Sequence, residues 1–225
     1  MNVSVVIPTL NEEQQILPCI RSAEDAGAAE IIVADGGSTD RTIEAIADRA
    51  QVVRAPAGRA SQQNAGAAAA AGSVLLFLHA DCRLSATSIQ TAAAAFAAED
   101  TLVAACFQQQ IDHPGRRYRL VARGNAWRVR TLGWAYGDQG ICVRSTAFAQ
   151  VGGFPALQFM EDLFIMKALK RLGRVRLLDA NVAVSARRWE SRGVVRQTLR
   201  NLSLITAAQL GVSPNRLARF YPNVR

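Results

Sequence analysis

The acids, amides and arginines of this 225-residue chain gather where apolar runs end. Asp81 closes the triplet His79-Ala80-Asp81 after Val74–Leu78, and a hard carboxylate there suits Mg2+ or Mn2+. Imidazole ligates Mn2+ but binds Mg2+ poorly, so His79 reads as a hydrogen-bonded wall residue in preference to a ligand. Asp35 ends a second run, Ile31–Ala34, where a carboxylate can accept hydrogen bonds from a base or ribose. Gly36-Gly37 let backbone approach a ligand closely, although the same Gly-Gly-Ser-Thr would make an ordinary strand-to-helix turn. Pro8, Thr9, Asn11 and Glu12 line the end of the first run, with helix capping as the competing reading. Arg59, at a helix start, is placed to meet a diphosphate or ribose, and Asn64 on the same helix to orient that arginine. Glu161-Asp162 opens a further helix. Acids there complement the helix dipole or supply a general base, and as neighbours they cannot flank one bond as a glycosidase pair does. Asp138-Gln139 supplies polar groups on the turn between Gly137 and Gly140, where they would face a ligand. Trp189, after Arg188, offers a plane for a sugar ring or an anchor for the core.

The elements that must position these groups follow from periodicity. Val3–Ile7 is a β-branched run suited to a strand buried on both faces. A helix over 12–26, a strand at Ile31–Ala34, a helix from Ser38 or Thr39 through Arg49 and a short strand at Val52-Val53 follow. Next come an alanine-rich helix over 60–71, the strand Val74–Leu78, a helix over 86–98 and a strand Val103–Phe107. Repeated βα units imply a mostly parallel sheet flanked by helices, with ligands beyond the carboxyl ends of its strands. Later segments read as helices over 118–131, 161–172 and 193–210 and strands near 141–143, 175–178 and 182–185. No linker or repeat divides the chain, so it reads as one domain: a half over 1–107, a second half over 108–192 and a helical tail over 193–225.

Composition excludes several classes. Charged residues at 20% and no polar tract rule out a mainly disordered chain. Four scattered cysteines without a CxxC pair give neither a zinc site nor a disulfide framework, and read as buried free thiols. The first strand is followed by Pro-Thr-Leu-Asn-Glu-Glu, so the dinucleotide-binding GxGxxG is absent, as is a P-loop. The N-terminus lacks a basic region and turns acidic by residue 12, unlike a signal peptide, and the expectation is a cytoplasmic protein. Charge is segregated: residues 1–112 hold 6 basic and 13 acidic side chains (−7), residues 113–225 hold 20 and 5 (+15). Of the 26 basic residues 24 are arginine, suited to phosphate. No nucleic-acid-binding module or interleaved aromatics accompany them, which leaves nucleic acid a poor second reading.

Taken in order, VVIPTLNEE, VADGGSTDRT and LLFLHADC resemble the family 2 glycosyltransferases with the nucleotide-diphosphosugar transferase (GT-A) fold. GRASQQNAG, YGDQGICVR, GGFP, MEDLF and SARRW resemble a compact bacterial subgroup found beside radical-SAM and selenium-related proteins. The resemblance runs from residue 3 to about residue 222. It implies inverting transfer of a sugar from a nucleotide-diphosphate donor, with Pro8 and Glu12 at the nucleoside and His79-Ala80-Asp81 in place of the family's DxD. A divalent ion on Asp81 would neutralise the leaving diphosphate. It also implies Asp162 as the base and Glu161 as its support or an acceptor contact. Arg188-Trp189 matches the end of QxxRW, whose glutamine is a serine here. A non-catalytic sugar-nucleotide binder is the alternative, disfavoured by Asp81 and Asp162. In the tail, Val194, Val195, Leu199, Leu202 and Ile205 share one side of a helix flanked by Arg192, Arg196 and Arg200. That stripe either packs on the domain or, with its arginines, meets a lipid-linked acceptor at the inner face of the membrane.

Overall fold

A computed structural model describes residues 1–186, 189–190 and 193–220. The β-branched run forms β1 (Val3–Thr9), buried along its whole length. Its side chains alternate between two cores: Val5 and Ile7 enter one, Val6 the other. Strand β4 (Val74–Phe77) repeats the pattern, with Leu76 on the first face and Leu75 and Phe77 on the second. Burial on both faces is why these strands read as continuous apolar runs.

With β2 (Glu30–Asp35), β3 (Gln51–Arg54), β5 (Cys82–Leu84), β6 (Leu102–Asp112), β7 (Ile141–Arg144) and β8 (Arg174–Ser185), the described residues build an eight-stranded sheet of order β3-β2-β1-β4-β7-β6-β8-β5. β1 pairs parallel with β2 and β4, β2 with β3, and β6 with β8. β7 runs antiparallel between β4 and β6, and β5 antiparallel on β8. The mostly parallel sheet flanked by helices is therefore as expected. The helices are α1 (Ile16–Asp25), α2 (Thr42–Ile46), α3 (Arg59–Ala69), α4 (Ser88–Ala98), α5 (Arg116–Leu132), α6 (Ser145–Gln150), α7 (Glu161–Leu172), α8 (Val194–Gln209) and α9 (Pro214–Leu217). The alanine-rich α3 comes so close to the sheet that a Cβ on Gly66 would lie 2.4 Å from Val6 Cγ1, a contact only glycine permits.

Six elements differ from the sequence reading. The chain after β1 stays a turn until Ile16, because Asn11 takes a left-handed φ of 55° and Glu12 only begins the turn. β6 continues to Asp112, and the two strands read near 175–178 and 182–185 are one strand, β8, whose partner register shifts between Cys106 and Gln108. α2 is half the expected length, and β5 and α6 were not foreseen. Short elements carry too few residues to show a period.

Candidate active site

The ends of β1 and β2 are fastened into one wall. Gly36 N donates to Thr9 O at 2.9 Å, and the buried Gln62 of α3 donates from Nε2 to Thr9 O at 2.6 Å and Ala34 O at 2.9 Å. Asn11 accepts from Thr39 N at 2.9 Å and donates its own N–H to Ser38 Oγ at 2.9 Å, while Glu12 N donates to Thr42 Oγ1 at 2.8 Å. Asp35 is buried and accepts from Gly37 N, Ser38 N and Ser38 Oγ at 2.6 to 3.2 Å. Its carboxylate thus shapes its own loop, the turn-forming reading of Gly-Gly-Ser-Thr. Pro8 and Thr9 are buried within β1 and form the floor of this wall.

Past β4, Leu78 N still donates to Val6 O, and the chain then turns through His79, Ala80 and Asp81. Cys82 N closes that turn on His79 O at 3.0 Å. Ala80 is buried and Asp81 half-buried. The buried Cys19 thiol, 3.5 Å from His79 O, is pushed well up, first by burial and then by Asp81, with Glu12 adding to it.

A single helical turn, Gly137–Gln139, brings the second half of the chain against His79. A Cβ on Gly137 would lie 2.3 Å from His79 Nε2, so the imidazole rests against its backbone. Gly137 N donates to Asp162 Oδ2 at 2.9 Å, and Leu163 N to Asp162 Oδ1 at 2.7 Å. A polar chain holds the turn from behind: Gln109 Nε2 donates to Asp138 Oδ2 at 2.7 Å and Asn125 Nδ2 to Gln109 Oε1 at 2.6 Å. Arg128 donates to Gln139 Oε1 at 2.7 Å and stacks 3.6 Å from the Tyr136 ring centroid. Burial pushes the Tyr136 phenol up to about 12, against the pull of Arg128, so it stays protonated at neutral pH.

Beside Asp162, the Glu161 carboxylate meets Arg59 at the start of α3, with Nε–Oε1 2.7 Å and Nη2–Oε2 3.2 Å. Their side chains are 1% and 22% exposed. Burial raises the Glu161 carboxyl above its ordinary value, with Arg59 opposing and Asp162 adding to the shift. Met160, just before the pair, holds a left-handed φ of 63° while packed among Leu163, Leu204 and Leu217, a strained backbone of the kind found at functional sites.

The chain matches the profile described as Glycosyl transferase family 2 over residues 4–152. It belongs to glycosyl transferase family 2. Solved structures with this fold include TarS 1-349 of S. aureus in complex with UDP, at 21% identity and a TM-score of 0.62, covering 83% of this chain and 61% of that one. Another is glucosyl-3-phosphoglycerate synthase from Mycobacterium tuberculosis in complex with Mn2+ and UDP-glucose, at 24% identity and a TM-score of 0.60, covering 81% and 70%. These likenesses establish the nucleotide-sugar transferase fold. The chain spans about three fifths of the TarS fragment. No curated protein matches it.

The family 2 chain thus brings His79, Asp138 and Asp162 together at one turn, with the Arg59–Glu161 pair beside Asp162 and Asp81 two residues past His79, while other candidates do structural work. Asn64 does not orient Arg59: its amide exchanges two hydrogen bonds with the Phe154 backbone, at 2.8 and 2.9 Å. Gln139 is fully buried, with its Oε1 held by Arg128. Trp189 is buried in the larger core, its anchoring alternative, and Arg188 lies outside the described residues. Gln62, Gln109, Asn125 and Arg128 went unrecognised because each acts on a partner remote in sequence or on another element.

The Arg59–Glu161 pair gives a stability prediction with a pH signature. Breaking a buried pair by removing one partner costs about 3–5 kcal/mol. Arg59→Ala should exceed Glu161→Gln, because it leaves the more deeply buried charge alone. The sign follows from linkage: a carboxyl with a raised folded pKa binds its proton more tightly when folded, so its contribution to stability falls as pH rises from the ordinary glutamate range through the folded value. Arg59→Ala should therefore lose most melting temperature at neutral pH and recover part of it near pH 5. Melting curves across that range are the check, and a pH-independent loss would place the pair outside this account.

Proposed function

We propose that this family 2 chain transfers a sugar from a nucleotide-diphosphate donor to an acceptor hydroxyl, with inversion and with help from a divalent ion. The observation that carries the reading is the Gly137 turn, which rests on His79 on one side and binds Asp162 on the other. On this reading Asp81, two residues past His79, would face the donor diphosphate, and Asp162, at the start of α7, would face the acceptor. The compact bacterial subgroup named by its motifs is part of the same proposal.

Two N–H donors fix the orientation of the Asp162 carboxylate, one on each oxygen. Each oxygen keeps a second lone pair, with which Asp162 would take the acceptor hydroxyl proton as that oxygen attacks the anomeric carbon. Glu161, buried under Arg59, keeps the start of α7 in place and leaves the base role to its half-buried neighbour. The wall built by Asn11, Asp35 and Gln62 would receive the nucleoside.

Among the described residues no group of three or more His, Cys, Asp or Glu side chains is placed to hold a metal ion. Asp81 nevertheless fits one shared with substrate, since Mg2+-type sites commonly combine one or two carboxylates with phosphate oxygens and water. Such an ion would neutralise charge on the departing diphosphate. That the M. tuberculosis synthase was crystallised with Mn2+ and UDP-glucose supports this reading.

A thermal-shift panel of UDP-, GDP- and dTDP-sugars, each with and without Mn2+, tests the proposal. A donor at about 100 times its dissociation constant adds about 2.7 kcal/mol, which for a chain of this size raises the melting temperature by about 5–10 °C. One nucleoside should give that shift with metal and much less without. No shift from any sugar nucleotide would overturn the reading.

A further inference from the structure

We propose that α5 and α8 together form a docking surface for an anionic phospholipid bilayer. Helix α8 is turned inside out. Its buried residues are Gln197 and Leu204, and the Gln197 amide donates to Asn201 Oδ1 at 2.9 Å. On the opposite side Val195, Leu199 and Leu202, spaced four and three apart, are 63%, 63% and 56% exposed. Of the apolar stripe legible in the sequence, only its edge residues Val194 and Ile205 pack on the domain. A helix held only by tertiary packing buries its apolar side, so this arrangement calls for a partner.

Helix α5 presents a matching face. Leu120 and Trp127, seven residues apart, are each 64% exposed. Arg116, Arg123 and Arg130 interleave with them at helical spacing, and all three are exposed. The two helices touch, Val194 and Val121 packing on one core and Leu204 and Ile205 sharing another with Trp134 and Tyr136. The exposed Leu210 and Phe220 extend the surface beyond α8. Leu204 and Leu217 pack on Met160 and Leu163, so it borders the Glu161-Asp162 pair, where a lipid-linked acceptor would be presented.

Charge selects the occupant. Neither 116–132 nor 193–220 contains an Asp or Glu, while Arg116, Arg117, Arg119, Arg123, Arg130, Arg196, Arg216 and Arg219 are exposed there. A second copy of this chain, docked face to face, would set arginine against arginine. Nucleic acid would match the charge but gain nothing from exposed leucine and valine. An anionic bilayer rewards both, with tryptophan at headgroup level and arginines on the phosphates. Among the described residues no helix is long and apolar enough to cross a membrane, so the contact lies in the interface.

The test is flotation of the full chain with phosphatidylcholine vesicles, with or without phosphatidylglycerol, at physiological salt. It needs no donor and no turnover, so its failure is separate from failure of the glycosyl-transfer reading. The chain should float with the anionic vesicles alone. Each arginine at an anionic surface contributes about five-fold, so Arg116→Gln/Arg123→Gln/Arg130→Gln should weaken partitioning on the order of 100-fold. Leu199→Ser/Leu202→Ser should weaken it more than about ten-fold with an unchanged melting temperature, since both side chains are exposed. Quenching by bromine-labelled anionic lipid, measured in the unmutated chain and lost in Trp127→Phe, keeps the proposal testable should a variant misfold. Failure of the unmutated chain to float, flotation of both variants like the parent, or a dimer that Leu199→Ser/Leu202→Ser converts to monomer would each overturn it.

Discussion

Asp162→Asn should lower turnover by about 10²-fold or more, the usual contribution of a positioned general base. Asparagine keeps the shape of the side chain and one oxygen to accept from Gly137 N or Leu163 N, while the other N–H loses its acceptor. The structural cost of that loss is about 1 kcal/mol, too small to unfold the chain. Affinity for the nucleoside diphosphate should change little, because the base meets the acceptor. Release of nucleoside diphosphate under saturating donor is the measurement. Near-normal turnover would send the proton elsewhere, and Glu161 is a poor substitute: it is 1% exposed and already bound to Arg59.

Asp81→Ala should abolish the dependence of nucleoside-diphosphate affinity on divalent metal. The fold should survive, since the side chain is half-buried and its hydrogen-bond contact with Cys82 Sγ is long, at 3.8 Å. Calorimetric titration of UDP or GDP with and without Mn2+ reads the effect directly. In the parent chain the ion should tighten binding, because it cancels charge between carboxylate and diphosphate. In the variant the two titrations should coincide. A variant that keeps the full metal effect would remove Asp81 from the site.

Much of this molecule was determined locally. The runs Val3–Ile7 and Val74–Leu78 announce strands buried on both faces, since burial on both sides removes the need for alternation. The acids and glycines ending those runs mark the crevice, because strand ends are where side chains escape the sheet. Their order along the chain was enough to indicate the family. Tertiary structure decided the rest. β7 enters the sheet antiparallel, an orientation four residues cannot encode. Gln62 reaches two strand-end carbonyls from a helix that reads as packing material. Asn64 holds Phe154, ninety residues on, through a backbone that local spacing does not reveal. In α8 the period of the apolar stripe was plain, but a period defines only which residues share a face. Whether that face turns inward depends on what the neighbouring elements offer it. Here the domain contacts Gln197 and Leu204 and leaves Val195, Leu199 and Leu202 in solvent.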